Sequence, residues 1–540
     1  MNKVAHRLAG LANRRRFMLS VVLGGLSALA MPPSSLWPVL FIAMPAVVWS
    51  LDGIAMRTKR RLSAMGSAFA TGWAFGFGYF AVGLYWIAAA FLVDPAHYAW
   101  MIPFVVTALP AGLALFWGGG LALAMASWSS GASRLYILAA DLTLAEWLRG
   151  HILTGFPWNT LGYAVSSLDC LSQLAAYIGL YGLSFLVIFV AASPTIVTDG
   201  GPGKRRWPSL AIAVFLALGG WIVGARRLNA AQHNAACNTP RVRIVQPNIA
   251  ERDKENPYLR RAIFERMLAL SAKRTAQAPG GLLDVDILVW PESALPFFVK
   301  EKPEALKAIA ALLPAGTILV TGALRREASN SGRIHVFNSI LVIDSTGEVT
   351  GHYDKRHLVP FGEYLPLAHW LEPLGLHQLV SVMPGFSKGQ TPAPLNLGGT
   401  SLVRALICYE AIFPHPSGKT GARLDWLVNV TNDAWFGPSA GPYQHFAQVR
   451  LRAIEEGLAL VRAANTGISA IIDPYGRIVS RLDLGEAGII DGPVPCPLEL
   501  TLYSRFGGYI PLLLVIGIVT TILSFNRRYF HFIIEKYTED

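Results

Sequence analysis

The run Val403-Arg404-Ala405-Leu406-Ile407-Cys408-Tyr409-Glu410 is apolar and strand-like until it meets a single cysteine followed by polar residues. That is the layout of a nucleophile held at a sharp turn after a buried strand. Two other segments end in the same way: Ile287-Leu288-Val289-Trp290 runs into Pro291-Glu292, and Val349 to Asp354 runs into Lys355. Three strands therefore deliver a carboxylate, an ammonium and a thiol. A cysteine attacks an acyl carbon as thiolate, so a base must take its proton or its pKa must fall. Glu292 is the candidate base, beside a proline that fixes the local backbone. An ammonium at Lys355 would lower the thiol pKa and stabilise the oxyanion of a tetrahedral intermediate. The backbone N–H of Tyr409 is a natural second donor, and Glu363 and Glu410 are candidates to orient these groups. The chemistry to expect is acyl transfer.

Taken singly, each residue has a bland explanation. A cysteine closing a strand is commonly core packing, a lysine in an Asp-Lys-Arg run is surface charge, and a glutamate after Trp-Pro is a helix cap. The joint occurrence of all three, each with its own flanking pattern, is what lifts the set.

The surrounding chain must hold this trio, and its composition is unusual for a soluble enzyme. Of its 540 residues 53% are hydrophobic and only 15% charged, against about one quarter in soluble domains; the mean hydropathy is +0.41. The formal charge of +12 lies in short clusters between apolar runs, without a basic face interleaved with aromatics, so a nucleic-acid partner is not expected. The clusters read instead as topology signals on the cytoplasmic side of a membrane. Arg14-Arg15-Arg16 followed by apolar Phe17 to Ala30 has the look of a signal peptide, but further spans follow at once and it reads as a retained first span.

Apolar stretches then recur near 37–56, 65–92, 99–127, 134–149, 167–197, 209–224 and 508–525, most of them near the roughly 20 helical residues a bilayer core takes. The 134–149 stretch is interrupted by Asp141, Glu146 and Arg149, and 209–224 is short. About eight spans would put Arg14 to Arg16, Arg57 to Arg61, Arg134, Lys204 to Arg206 and Arg527-Arg528 on one side. The Gly155-Phe156-Pro157-Trp158 loop and the long segment between the last two spans would fall on the other, outside. The expected organisation is a polytopic α-helical membrane domain over 1–230, an extracytoplasmic domain over 240–497, and a last span with a cytoplasmic tail over 505–540.

Within 240–497 charges become frequent and apolar runs shorten to strand length. Strands are expected at Arg241 to Gln246, Ile287 to Trp290, Thr317 to Thr321, Asn338 to Asp344, Trp426 to Val430, Leu460 to Ala464 and Gly467 to Ile472. Helices fit at Tyr258 to Gln277, with Leu259, Ile263, Met267 and Leu270 on one face, and at Tyr443 to Glu456. Such alternation indicates a layered α/β fold with a buried sheet. Cys237 and Cys496 sit at the two ends of this segment; an outside location would let them pair, but two unpaired thiols are the expectation. The histidines (His352, His357, His377, His415, His445) show no metal-ligand spacing, so neither metal nor cofactor is expected.

Trp290-Pro291-Glu292-Ser293, the stretch from Tyr353 to Tyr364, and Ile407-Cys408-Tyr409-Glu410 resemble the Glu-Lys-Cys signatures of the nitrilase superfamily. With many apolar spans in front and one behind, the chain resembles the apolipoprotein N-acyltransferase family throughout. Asn429 to Gly437, Gln444-His445, Arg462 to Ser469 and the Gly155 to Trp158 loop fit that family. One departure is that Ala250 to Pro257 holds no tryptophan, where the family often has one. The resemblance implies an αββα sandwich with Glu292 as base, Lys355 as oxyanion stabiliser and Cys408 as nucleophile. It also implies supporting roles for Glu363, Tyr409 and Glu410, and lipid access shaped by Trp158, Trp435 and Phe436.

By the same resemblance, Cys408 attacks the sn-1 ester of a membrane phospholipid and keeps the acyl chain as a thioester. The α-amino group of a diacylglyceryl-cysteine at a lipoprotein N-terminus then takes it, at the outer face of a bacterial inner membrane. A membrane setting suits such substrates: drawing a lipid of more than thirty methylenes into water would cost roughly 25 kcal/mol at about 0.8 kcal/mol per CH₂. The rival readings are a membrane-tethered amidase or nitrilase using the same triad, and a transporter with an accessory domain, which the few charges inside the spans support poorly.

Overall fold

The computed structural model describes residues 3–129, 131–198, 207–230, 237–328, 332, 334–374, 378–379, 385–390, 394–399, 401–414, 423–509, 513 and 517. The stretch 508–525, apart from a few positions, the basic runs 204–206 and 527–528, and His377 and His415 lie outside them. The chain divides into two compact units, one of Met1–Tyr85, Pro103–Ala230 and Phe506–Asp540, the other of Trp86–Ile102 and Ala231–Arg505. Trp86–Ile102 thus groups with the second unit, although its sequence position is among the apolar spans.

The first unit is helical. Trp37–Arg57, Ala175–Val197 and Pro208–Ala230 are long and apolar enough to cross a membrane, as is Pro95–Ala126, which begins in the second unit; Arg61–Gly83 with its bent continuation Tyr85–Leu92 adds a fifth. Eight spans are therefore not recovered among the described residues. The helix Asn13–Ala28 has only 16 residues, short of the bilayer requirement. The helix Ser133–His151 buries Arg134, Asp141, Glu146 and Arg149, and two of these ionisable groups hold a loop. Glu146 Oε1 accepts from the Leu161 N–H at 2.9 Å, and Arg149 donates to the Trp158 carbonyl at 2.9 Å and to the Phe156 carbonyl. Asn13–Ala28 packs on Arg61–Gly83 through small residues. A Cβ at Gly24 would come within 1.9 Å of the Phe75 carbonyl oxygen, and one at Gly78 within 2.0 Å of Val21 O, the close approach that glycine allows between membrane helices.

The second unit contains two six-stranded sheets. β1 (Arg241–Gln246), β2 (Ile287–Leu295), β3 (Ile318–Ala328), β4 (Ile334–Ile343), β5 (Val349–Asp354) and β12 (Gly488–Pro493) form one, in the order β12-β1-β2-β3-β4-β5. β6 (Leu395–Asn396), β7 (Leu402–Ile407), β8 (Trp426–Thr431), β9 (Ala459–Ala464), β10 (Ser469–Ile472) and β11 (Ile478–Leu482) form the other, in the order β11-β10-β9-β8-β7-β6. β1, β2 and β3 are parallel, as are β7, β8 and β9. Alternating residues of both sheets (Val242, Ile244, Val289, Ile340 and Val342; Val403, Ala405, Val428 and Val461) meet in one buried core, as facing sheets do.

The outer face of the first sheet packs on the helices Arg260–Ser271 and Pro303–Leu312 through Met267, Leu270 and Ile309. The second sheet packs on Ala440–Glu456 through Phe446, Val449 and Ala453. The layers are α-β-β-α, a nitrilase-like arrangement.

Cys237 and Cys496 are joined by a disulfide with Cα atoms 6.0 Å apart, which corrects the expectation of two free thiols. The strand register gives the reason: β1 and β12 are antiparallel, with Arg241 opposite Pro493. The residues just before one strand and just after the other are therefore brought together.

Candidate active site

Glu292, Lys355 and Cys408 all come to the space between the two sheets, two of them through irregular backbone. Trp290 points to the outer layer, where its Nε1 donates to Ser271 Oγ at 2.9 Å. Regular alternation would send Glu292, two residues on, the same way. Instead the β2–β3 register shifts between Trp290 and Leu295, and Ser293 takes a positive φ of 51°. Pro291 lacks the N–H a regular ladder needs, and the resulting bulge re-aims the carboxylate inward. Gly322 lies opposite; a Cβ there would stand 2.5 Å from Glu292 Cα and 2.5 Å from the Pro291 carbonyl oxygen.

Cys408 shows the same device. Val403, Ala405 and Ile407 face the inner core, so the next residue should face away. A left-handed φ of 48° at Cys408, costly for a residue with a Cβ, opens a 3₁₀ turn and keeps its side chain with the inner cluster. Lys355 needs no such device. It follows β5, its N–H donating to the Asn338 carbonyl at 2.8 Å, and the neighbouring Asp354 is fixed by Arg325 at 2.6 Å and by Ser339 Oγ at 2.6 Å.

The Lys355 ammonium, 1% exposed, donates to Glu363 Oε1 at 2.9 Å and lies 3.6 Å from Glu292 Oε1. Burial alone would lower its pKa, but Glu363 and Glu292 together outweigh it and hold the group above its ordinary value. The two carboxylates favour its charged form. Burial raises the Glu292 pKa, against the opposing pull of Lys355. Burial and the Glu292 charge also push the Cys408 thiol up, Lys355 opposing. The sulfur therefore rests as a thiol, in the same site as a carboxyl group whose proton affinity is also raised.

Two carboxylates hold the frame. Glu363 Oε2 accepts the Val359 N–H at 2.8 Å. Glu410 Oε1 accepts from the Arg356 N–H at 2.7 Å, the His357 N–H at 3.1 Å and the Tyr353 hydroxyl at 3.0 Å, while its Oε2 accepts the Ile407 N–H at 2.9 Å. One side chain thus ties the turn at Cys408 to the segment after Lys355. Tyr409 is buried, its ring edge-on to Phe413 at 5.1 Å. Trp435 and Phe436 are half-buried on the turn after β8, Phe436 packing edge-to-face on Trp86 at 4.6 Å. Trp158 belongs to the first unit, where it is 1% exposed; it is a packed residue of the loop held by Arg149.

Two residues of the site are not singled out by the sequence reading. Asn338 donates through Nδ2 to Glu292 Oε1 at 2.8 Å and to Glu363 Oε1 at 3.1 Å, bridging the two carboxylates. Lys254, in the short helix Glu251–Glu255 of the tryptophan-less segment, donates to the Glu292 carbonyl at 3.3 Å. Burial lowers its pKa, with Glu251, Glu292 and Cys408 acting the other way. A polar residue in the middle of an apolar strand is the one available signal for Asn338.

Residues 241–497 match the family described as carbon-nitrogen hydrolase, and residues 23–193 match the apolipoprotein N-acyltransferase N-terminal domain. The chain is 44% identical over 519 residues to the apolipoprotein N-acyltransferase of Rhodopseudomonas palustris, covering 95% of this chain and 96% of that one. Against the protein of the same name from Bradyrhizobium diazoefficiens the identity is 45%, covering 95% of each. Against that from Brucella suis it is 41%, covering 98% and 99%. Among solved structures, an amidase from Nesterenkonia sp. aligns with a TM-score of 0.32 at 17% identity, covering 48% of this chain and 93% of that one.

Proposed function

This chain belongs to the apolipoprotein N-acyltransferase family, and on that premise we propose how its acyltransferase site works and where it faces. It is a membrane acyltransferase that N-acylates lipoproteins, with a lipid as donor. The finer reading is that a phospholipid gives its sn-1 chain to Cys408 and that the α-amino group of a diacylglyceryl-cysteine receives it.

In the first half-reaction the thiol proton passes to Glu292 as sulfur attacks the ester carbonyl. Lys355 cannot take that proton, because Glu363 and Glu292 keep it charged; its role is to face the oxyanion, together with the Tyr409 N–H. The intermediate collapses to a thioester and a lysophospholipid, Glu292 returning the proton to the leaving alkoxide. In the second half, Glu292 takes a proton from the incoming amine, which attacks the thioester, and the thiol is restored. Ping-pong kinetics follow from a covalent intermediate. Trp435 and Phe436 border the acyl path in this reading.

The observation that carries it is the Lys355 ammonium, held between Glu363 and Glu292 beside a cysteine in left-handed backbone. A bacterial inner-membrane setting with the catalytic unit outside is supported by the basic loops and by the Cys237–Cys496 disulfide, since such bonds persist in oxidising compartments. The test is mass spectrometry of the purified protein after mixing with phospholipid. An acyl adduct on the Cys408 peptide, absent in Cys408→Ala, is the expected result. An intact phospholipid pool with ammonia released from small amides would replace this reading with an amidase.

A further inference from the structure

The polar segment that follows β1 is pinned at its start to the turns of the opposite sheet. Asn465, fully buried just after β9, accepts the Ile249 N–H at 3.2 Å and donates to the Ile249 carbonyl at 2.8 Å. Its own backbone carbonyl accepts the Asn248 N–H at 3.0 Å. Asn465 Nδ2 also donates to Asn432 Oδ1 at 2.9 Å, and Asn432 Nδ2 donates to the Glu251 carboxylate. The Glu251–Glu255 helix is thereby held against the turns after β8 and β9, and β8 is the neighbour of the strand that ends at Cys408.

Further along that helix, half-buried Lys254 reaches the backbone of Glu292, its Nζ donating to the carbonyl oxygen at 3.3 Å. Glu292 lies in the β2–β3 register shift and precedes the left-handed Ser293. The carbonyl that Lys254 holds therefore belongs to the bulge that turns the carboxylate inward. An ammonium at that carbonyl also stands within about one glutamate side chain's length of the carboxylate itself, close enough for a strong charge effect away from bulk water. Among the described residues Lys254 forms no close ion pair, and the negative charges it senses are Glu251, Glu292 and ionised Cys408. Lys355, the other cation of the site, has Glu363 as its nearer partner. Burial raises the Glu292 pKa and Glu363 adds to the rise, while Lys355, Asn338 and Lys254 oppose it. The charged and titratable groups facing Glu292 are thus Lys355 after β5, Glu363 beyond it, Cys408 after β7 and Lys254.

We propose that Lys254 is a positioning residue for the base of the acyl transfer: its ammonium fixes the bulge that aims Glu292 and adds a second positive charge that favours the ionised carboxylate. No bond or proton of Lys254 changes hands, and the thiol proton still passes to Glu292. This rests on Glu292 being the base.

The experiment is single-turnover acylation of Cys408 by phospholipid across pH in the full-length detergent-solubilised protein, read by mass spectrometry of the Cys408 peptide. Lys254→Met keeps the length of the side chain and removes both charge and donor; Lys254→Arg keeps both. The methionine variant should lose about tenfold in maximal rate, and its acid limb should move up by about one pH unit, the scale of a charge effect at this range. The arginine variant should keep the acid limb of the unsubstituted protein. A methionine variant that is slower with an unmoved acid limb marks a merely structural contact and overturns the proposal. An arginine variant displaced as far as methionine overturns it as well. Should methionine prevent folding, Lys254→Gln takes its place with the same two readings. Failure of Glu292 as the base is separable: Glu292→Gln would then still load Cys408 with the acid limb of the unsubstituted protein, and the proposal would fall with that reading.

Discussion

Lys355 Nζ donates to Glu363 Oε1 at 2.9 Å, and this pairing decides what Glu292 is free to do. With Glu292 Oε1 at 3.6 Å, the close ion pair is made by the other carboxylate. Glu292 is left less tightly neutralised and able to accept a proton, which a base must do. A glutamate locked on the lysine would be a poor base.

The pH dependence follows. In the proposed mechanism Glu292 must be ionised to take the thiol proton, and burial raises its pKa. The rate of acyl-enzyme formation should therefore fall as pH drops through that raised value. Glu363 contributes to the rise, so Glu363→Gln should move the acid limb to lower pH. It should also slow the maximal rate by about tenfold to a hundredfold, because Lys355 then pairs with the base. Single-turnover acylation across pH checks both; an acid limb that moves up in the variant would contradict the assignment.

Lys355→Met removes the buried cation that the proposed mechanism sets against the developing oxyanion. The expected loss is about 10²–10³ in the acylation rate, the range for one such donor. Donor affinity, measured as retention of phospholipid by Cys408→Ala with and without the second change, should alter little by comparison.

Gly322→Ala should act on Glu292 through backbone alone. Its Cβ would stand 2.5 Å from Glu292 Cα, so the bulge must move, at a cost of about 1–3 kcal/mol, typical of overpacking. Thermal unfolding in detergent should register the loss, and acyl adduct on Cys408 should fall with it.

Glu410→Gln places two amide hydrogens where four donors already point, the N–H groups of Arg356, His357 and Ile407 and the Tyr353 hydroxyl. At least one of those donors loses its acceptor, at about 1–3 kcal/mol. The turn rate should drop more than KM rises, because the damage lies in the placing of Cys408 against Lys355.

Cys496→Ser should lower the unfolding temperature of the second unit, a native disulfide contributing typically 2–4 kcal/mol. Reductant should lower it in the unsubstituted protein and leave the variant unchanged.

The grouping of Glu292, Lys355 and Cys408 was legible because each closes an apolar run, and the two helices and most strands because their apolar spacing is regular. The helix expected from Tyr258 appears as Arg260–Ser271, with Ile263, Met267 and Leu270 buried as anticipated. β6, with two residues, and the largely exposed β11 carry too little pattern to be found. The membrane part misled in a different way. Hydropathy counts charges without their partners, so Glu146 and Arg149 look like interruptions although they hold the loop from Phe156 to Leu161. Asn338 and Lys254 were hidden because their partners lie 46 and 38 residues away in sequence. Nor does spacing indicate a disulfide across 259 residues; strand register does.

That disulfide has a mechanical consequence. The segment that carries both sheets begins and ends on two neighbouring antiparallel strands, and a covalent bond spans its two ends. Tension arriving along the chain from either flank runs through the sulfur–sulfur link and bypasses the sheets. A pull transmitted along either flank of that segment is taken by sulfur before it reaches the strands that carry Glu292, Lys355 and Cys408.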